Sequence, residues 1–201
     1  MGLSWVFSIA VVTLFVIGTN AETRVATAHL VQGNINGTVT FTEIDDGILV
    51  NGSIIGLPAG LYGFHVHELG DISTCLATGG HFDLDGNTHG GREHDVRHIG
   101  DLGNVQFEGE SPLANFSFVD KVISLRGRNN ILGRSLVLHE QEDDLGEGGD
   151  EGSLSTGNAG GRVACGVIGI KSPATPWNAA INVGPSTVLL VSLTFFFFVK
   201  Y

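Results

Sequence analysis

Six of the chain's eight histidines and one aspartate stand in positions that could do chemistry: His65, His67, His81, His89, His98, Asp101 and His139. Together they supply enough nitrogen and oxygen donors for two metal ions. Imidazole suits copper and zinc, whereas calcium and magnesium prefer oxygen. His65 and His67 alternate in Gly63-Phe64-His65-Val66-His67, so on a strand both point to one face while Val66 points to the core. His81, His89, His98 and Asp101 follow within one glycine-rich stretch, and His139 ends a much later apolar run. A single histidine in such a setting is more often a surface or satisfied core residue. Seven candidate ligands, two of them on one strand face, point to a metalloprotein.

The elements that must position these groups read as all-β. Short alternating runs recur, such as Val39-Thr40-Phe41-Thr42 and Asn115-Phe116-Ser117-Phe118, followed by Val122–Leu125, Ser135–His139 and Val163–Ile168. Turn chemistry separates them at Asn36-Gly37, Asp46-Gly47, Pro58-Ala59-Gly60 and Gly127. No long stretch has helical period. Many short strands with turns between them predict a sandwich or Greek-key barrel. Two segments, roughly 70–103 and 140–161, are too long for hairpin turns, and loops of that length are usually functional. The ligands fall where those loops meet strands.

Composition narrows the setting. A chain of 201 residues is long enough for a sizeable core, and its formal charge of -11 leaves no basic run. A phosphate-binding surface needs clustered Lys and Arg, so nucleic acid is excluded as a partner. A small anion could still be drawn in where positive charge is focused in one cleft. Residues 5–18 are apolar and end at Thr19-Asn20-Ala21, which predicts a signal peptide spanning 1–21, although its first residues carry no Lys or Arg. Residues 173–201 form a tail in which Asn178-Ala179-Ala180, a polar spacer and the apolar run 188–199 fit a glycolipid-anchor signal. A transmembrane helix and a merely sticky secreted tail are the alternatives. Between them, residues 22–172 form the folded domain. Cys75 and Cys165 are an even pair that an oxidising compartment would let join. Asn36-Gly37-Thr38, Asn51-Gly52-Ser53 and Asn115-Phe116-Ser117 are glycosylation acceptor triplets, each permissive only.

Over nearly the whole of residues 24–170 the chain resembles the copper/zinc superoxide dismutases. The strings that carry the resemblance are GFHVHELGD from Gly63, HGG from His89, RHIGDLGNV from Arg97 and GNAGGRVACGVIGI from Gly157. It implies an eight-stranded Greek-key β-barrel or sandwich with two long functional loops. Copper would be held by His65, His67, His81 and His139, and zinc by His81, His89, His98 and Asp101, with His81 bridging. Asp143 matches the residue that links a copper ligand to a zinc ligand, Arg162 the one that receives the substrate anion, and Thr156 one lining the opposite wall. Cys165 would pair with Cys75, a closure of roughly 4–5 kcal/mol on the chain-entropy model. The implied reaction turns superoxide into dioxygen and hydrogen peroxide as copper alternates between its two oxidation states, with His81 passing a proton. The segment Gly166–Ile170 resembles the one that pairs subunits in dimeric members, which predicts a homodimer.

Several positions depart from the resemblance. Glu147 and Ser155 stand where animal members carry lysines, Gly152 stands at a glutamate position, and residues 140–161 contain no Lys or Arg. The field that steers the anion is therefore expected to rest on Arg162 and the metals. Gly80 stands where the family usually has proline, which predicts a looser loop before His81. His29 and His94 read as structural or exposed. The acidic run from Glu140 to Glu151 lacks calcium-loop spacing and reads as solvated. A copper chaperone or a passive metal reservoir on the same fold is the alternative function. The complete histidine set and the presence of only two cysteines favour the enzyme.

Overall fold

The computed structural model describes residues 22–110, 112–174 and 177; the expected leader and most of the expected tail lie outside them. Nine strands form two antiparallel sheets: β1 Val25–Gln32, β2 Ile35–Ile44, β3 Gly47–Ile55, β4 Gly60–His67, β5 Asp101–Phe107, β6 Leu113–Asp120, β7 Ser135–His139, β8 Arg162–Val167 and β9 Gly169–Ser172. The five-stranded sheet runs β6-β3-β2-β1-β9 and the four-stranded sheet β5-β4-β7-β8. The neighbours β3/β6 and β4/β7 are not consecutive in the chain, and these returns are the Greek-key crossings of a sandwich. The described residues hold nine strands rather than eight because the last apolar run divides at Ile168. The buried Ile168 bonds back to Gly133 and Arg134. Beyond it the chain leaves β7 and pairs with β1 in the other sheet.

Period-two alternation decides which side chains fill the space between the layers. In β2, Ile35, Val39 and Phe41 point inward while Asn36 and Thr38 face solvent. In β4, Phe64 and Val66 join the core, which turns His65 and His67 to the outer side of the four-stranded sheet. Phe41, Phe64, Phe82, Phe107, Leu136 and Leu138 are fully buried, each worth about 1.5–3 kcal/mol relative to exposure. Gly52, opposite Phe116 in the β3/β6 ladder, leaves the room this ring occupies: a Cβ there would lie 2.1 Å from the Phe116 ring.

The two long loops fold over the outer side of the four-stranded sheet. The first is tied to β8 by a disulfide between Cys75 and Cys165, whose Cα atoms are 5.6 Å apart and 90 residues apart in sequence. The Arg97 guanidinium anchors the same loop from within. It donates to Asp120 Oδ2 at 2.6 Å and to the carbonyls of His98, Ile99 and Asp101. The second loop contains a feature that a search for long helical periods misses, the six-residue helix α1, Glu151–Thr156. Asp150 caps its N-terminus by accepting from the Ser153 N–H, and Gly157 ends it in the left-handed conformation.

Candidate metal centre

Strand β4 contributes His65 and His67, β7 ends on His139, and β5 begins at Asp101; all four are buried. The first loop returns to this place because Phe82 and Gly100 extend the ladder beside Val66. Phe82 N–H donates to Val66 O, Gly100 N–H to Phe82 O and Val66 N–H to Gly100 O. That zipper sets the His81 ring 4.1 Å from the His65 ring, centroid to centroid. Gly80 does not loosen this segment. Its N–H donates to Glu68 Oε1 at 3.0 Å and its carbonyl accepts from the Glu68 N–H, a donor that proline would lack.

Most of these histidines have one ring nitrogen engaged and the other turned inward. His67 Nδ1 donates to Gly79 O at 2.9 Å and His139 Nδ1 to Gly160 O at 3.3 Å. A carbonyl can only accept, so both rings carry their proton on Nδ1. Their two bare Nε2 atoms then face each other at 3.3 Å. Two lone pairs at that distance repel, and a cation between them relieves this. His65 Nε2 and His89 Nε2 both reach Asp143, at 2.8 and 2.7 Å, which leaves His65 Nδ1 without a hydrogen-bond partner and turns His89 Nδ1 to Asp101 Oδ2 at 3.0 Å. His81 presents Nδ1 to Asp101 Oδ1 at 2.8 Å, while its buried Nε2 has no partner. Orphaned buried nitrogens on a converging set of imidazoles are the donor pattern of copper and zinc.

The inward atoms form two adjoining groups. One atom from each of His65, His67, His81 and His139 lies within 4.8 Å of the others, and the same holds for His65, His81, His89 and Asp101. His65 stands in both groups because the groups share a wall, but it has one free nitrogen and can serve one metal. His98 lies just outside the tight second set, with Nδ1 3.2 Å from Asp101 Oδ1 and its backbone N–H donating to Asp101 Oδ2 at 2.8 Å. The described residues thus bring all seven expected ligands to one place, with His81 between the groups.

Burial and charge set the protonation of this cluster. Burial, with the neighbouring His81, lowers His65 to about 3. The same two causes lower His67 to about 2 and His139 to about 4, and the positive charge of Arg162 adds to both. Burial also lowers His81, against the pull of Asp101. For His89, burial opposes the charged form, but the bonds to Asp101 and Asp143 outweigh it and raise the group to about 9. Asp101 and Asp143 lie well below the usual carboxylate range, because their histidine contacts overcome the cost of burial. A metal held by His89 would therefore displace a proton, whereas His65, His67 and His139 are already neutral.

Arg162, at the start of β8, stands near His67 and His139 and opposes their charged forms. Its guanidinium is half-buried and donates to Cys75 O at 2.9 Å and Thr78 Oγ1 at 2.8 Å, so the disulfide-tied loop fixes its direction. Thr156 closes α1 in an exposed position and donates to Gly152 O. Glu147 is exposed and faces His94 at 3.5 Å, while His29 contacts Thr38 on the far sheet. The acidic loop is more ordered than its composition implies. Asp143 is buried, and Asp144 accepts from Ser153 Oγ and Asn158 Nδ2.

Two supporting residues are not evident from residue type. Asn104 on β5 donates to Asp143 O and accepts from Asp143 N–H, both at 2.8 Å, which clamps the carboxylate's backbone. At Gly157, where φ is +66, a Cβ would stand 2.0 Å from Asp143 Oδ1 and 2.4 Å from His89 Nε2. The only sequence sign of that crowding is a glycine following a short helix.

A β-sandwich holding adjoining histidine sites with a shared imidazole defines a dinuclear metalloprotein of the copper–zinc type. Residues 35–168 match the copper/zinc superoxide dismutase family. Superoxide dismutase [Cu-Zn] A of Xenopus laevis is 52% identical over 140 residues, spanning 69% of this chain and 91% of the frog protein. The crystal structure of the clock protein EA4 superposes with a TM-score of 0.72 at 49% identity, covering 77% of this chain and 100% of that one. The chain belongs to the copper/zinc superoxide dismutase family.

Proposed function

We propose that this protein dismutates superoxide, two anions and two protons giving dioxygen and hydrogen peroxide. The observation that carries the reading is His81, whose two ring nitrogens address two separate donor groups within one buried cluster. Copper would be held by His65 Nδ1, His67 Nε2, His81 Nε2 and His139 Nε2. Zinc would be held by Nδ1 of His81, His89 and His98 together with Asp101. When bound, copper supplies the one-electron couple, and zinc in a closed four-ligand site supplies a fixed charge.

The chain's own residues supply the remainder. Arg162 offers a permanent charge and directed donors to a small anion next to His67 and His139. His81 Nε2 can hold a proton for the departing peroxide while its Nδ1 stays at the Asp101 pole. Asp143 and the carbonyls of Gly79 and Gly160 keep His65, His67 and His139 in the tautomer that presents a bare nitrogen inward. Stopped-flow decay of superoxide with protein of known copper and zinc content tests this. Acceleration proportional to bound copper and reduced by Arg162→Ala is expected. Full metal occupancy without acceleration would place the protein with copper chaperones or reservoirs.

The reaction is proposed to occur outside the cytoplasm, on a secreted or glycolipid-anchored protein. Support comes from the apolar leader within 1–21, the small-residue site and apolar tail within 173–201, and the Cys75–Cys165 disulfide. A homodimer is proposed through the terminal segment, where Val167 and Ile170 expose apolar surface. Light scattering of the purified protein tests that assembly, and phospholipase release from intact cells tests the anchor.

A further inference from the structure

The three acceptor triplets, dispersed in sequence, converge on one surface. Asn36 and Thr38 lie on β2, Asn51 and Ser53 on β3, and Asn115 and Ser117 on β6, three adjacent strands of the five-stranded sheet. The register aligns Thr38 with Ser53 and Ser53 with Asn115 in one row, and Thr40 with Asn51 and Asn51 with Ser117 in the next. Because side chains alternate, each triplet turns its asparagine and its hydroxyl outward and its middle residue inward. Those middle residues are Gly37, against Ile54, and the partners Gly52 and Phe116. Among the described residues, the side-chain amides of Asn36, Asn51 and Asn115 make no protein hydrogen bond. Since His65 and His67 face outward from the other sheet, this surface lies on the opposite side of the sandwich from the metal centre.

The three positions are not equivalent. Asn36 and Asn115 are exposed, the first near a hairpin turn and the second on the edge strand. They are separated by two strand spacings and one side-chain row, roughly 12 Å. Asn51 is half-buried on a strand with neighbours on both sides, and it is a diagonal neighbour of Asn115 at roughly 7–8 Å. Sugar transfer acts on the emerging chain, so the folded sheet decides which modified chains can fold and be secreted rather than which asparagine is reached. A branched glycan fits at either exposed position, but one at Asn51 would crowd Thr40, Ser117 and the Asn115 glycan.

We propose that the outer face of the five-stranded sheet is an N-glycosylated surface, modified at Asn36 and Asn115 and not at Asn51. This rests on the export proposed above. The co-reactant is an oligosaccharide linked through diphosphate to a membrane lipid. The asparagine Nδ2 forms a bond to the sugar's C1, the C1–O bond to diphosphate breaks, and the amide proton departs as the lipid diphosphate leaves. The sugars would also cover the edge strand β6, which otherwise presents unpaired backbone groups to other chains.

The test is expression of the full chain in an animal secretory cell line, beside the same chain carrying a known secretory leader in place of residues 1–21. Gel mobility with and without peptide-N-glycosidase, and peptide mapping of the asparagines that the glycosidase converts to aspartate, give the occupancy. Two glycans are expected, one lost in Asn36→Gln, one lost in Asn115→Gln and none lost in Asn51→Gln. Removal of the sugars should leave the superoxide decay rate per copper unchanged. Unmodified protein from the leader-fused chain would overturn the proposal, as would occupancy of Asn51 in the native sequence. Modification of the leader-fused chain alone would uphold the surface and reject export by residues 1–21.

Discussion

Asp143→Asn tests whether one carboxylate fixes both metal sites through ring tautomers. In the native protein Oδ2 accepts from His65 Nε2 at 2.8 Å and Oδ1 from His89 Nε2 at 2.7 Å, so the carboxylate holds the Nε2 proton of both rings and aims each Nδ1 inward, in His89 toward Asp101 Oδ2 at 3.0 Å. Asparagine is nearly isosteric but has one acceptor and one donor. Its carbonyl can serve one ring, and its NH₂ then faces the other ring's N–H. That second ring must either lose the bond or move its proton to Nδ1, the atom that should bind metal. The Leu145 N–H, which donates to Oδ1 at 2.7 Å, retains its partner only if the carbonyl takes the Oδ1 position. His89 then keeps its bond and His65 loses it; the opposite placement strands His89 and the Leu145 amide together. Losing an outer partner of this kind typically costs 10–100-fold in metal affinity, about 1.4–2.8 kcal/mol. Competition against a chromophoric chelator, run separately for zinc and copper, should show the loss at copper first, because the Leu145 amide favours that rotamer. Asp85→Asn, which removes an exposed partner of Arg128, is the control. Affinities within twofold of wild type for both metals would refute the tautomer reasoning.

Four further outcomes follow from the same geometry. Gly157→Ala forces a left-handed φ on an L-residue, costing roughly 1–2 kcal/mol before any clash, and drives its methyl into Asp143 and His89; calorimetry should show a lower Tm for the zinc-loaded protein, and an unchanged Tm would contradict the crowding. Arg162→Ala should lower the second-order rate by roughly tenfold or more while copper content stays unchanged, since the role proposed for the guanidinium is to receive the anion and it is not among the expected metal ligands. With no Lys or Arg in residues 140–161, the wild-type rate should fall less steeply with salt than that of relatives bearing lysines there, and an equal slope would show steering from elsewhere. The metal-free domain should be most stable near pH 6.5. Below it, an unfolded chain protonates before folded His65, His67 and His139, with pKa values of about 3, 2 and 4, so stability present above 6.5 is lost as pH falls, by about 1.4 kcal/mol per unit per histidine. Above it, His89 works the other way: its folded pKa of about 9 gives stability that is complete below 6.5 and is lost as pH rises through 9. A Tm that changes monotonically from pH 4 to 9 would reject this balance.

Much of the centre is legible in the chain because it depends on residue type and local period. Alternation alone turns His65 and His67 to one face and Val66 to the other, and imidazole chemistry selects copper and zinc. The all-β class follows from short alternating runs, and the position of Arg162 from the strings that resemble the family. The exceptions are long-range or subtle. The division of the last run at Ile168 depends on β1 offering a free edge in the other sheet. The hydrogen bond from Gly80 to Glu68, which pins a loop expected to be loose, joins residues 12 apart through a backbone donor that residue type does not advertise. Helix α1 is too short to show a period, although Asp150, Ser153 and Gly157 are its capping residues.

The sequence by itself determined the ligand inventory and the alternation that aims it, since these are consequences of side-chain chemistry and a two-residue repeat. Only the tertiary structure decided which nitrogen of each histidine stays bare, because that depends on Asp143, Gly79 O and Gly160 O arriving from distant loops. It alone aligned three scattered triplets on neighbouring strands, because strand order and register are set by packing of the whole sandwich rather than by any local run.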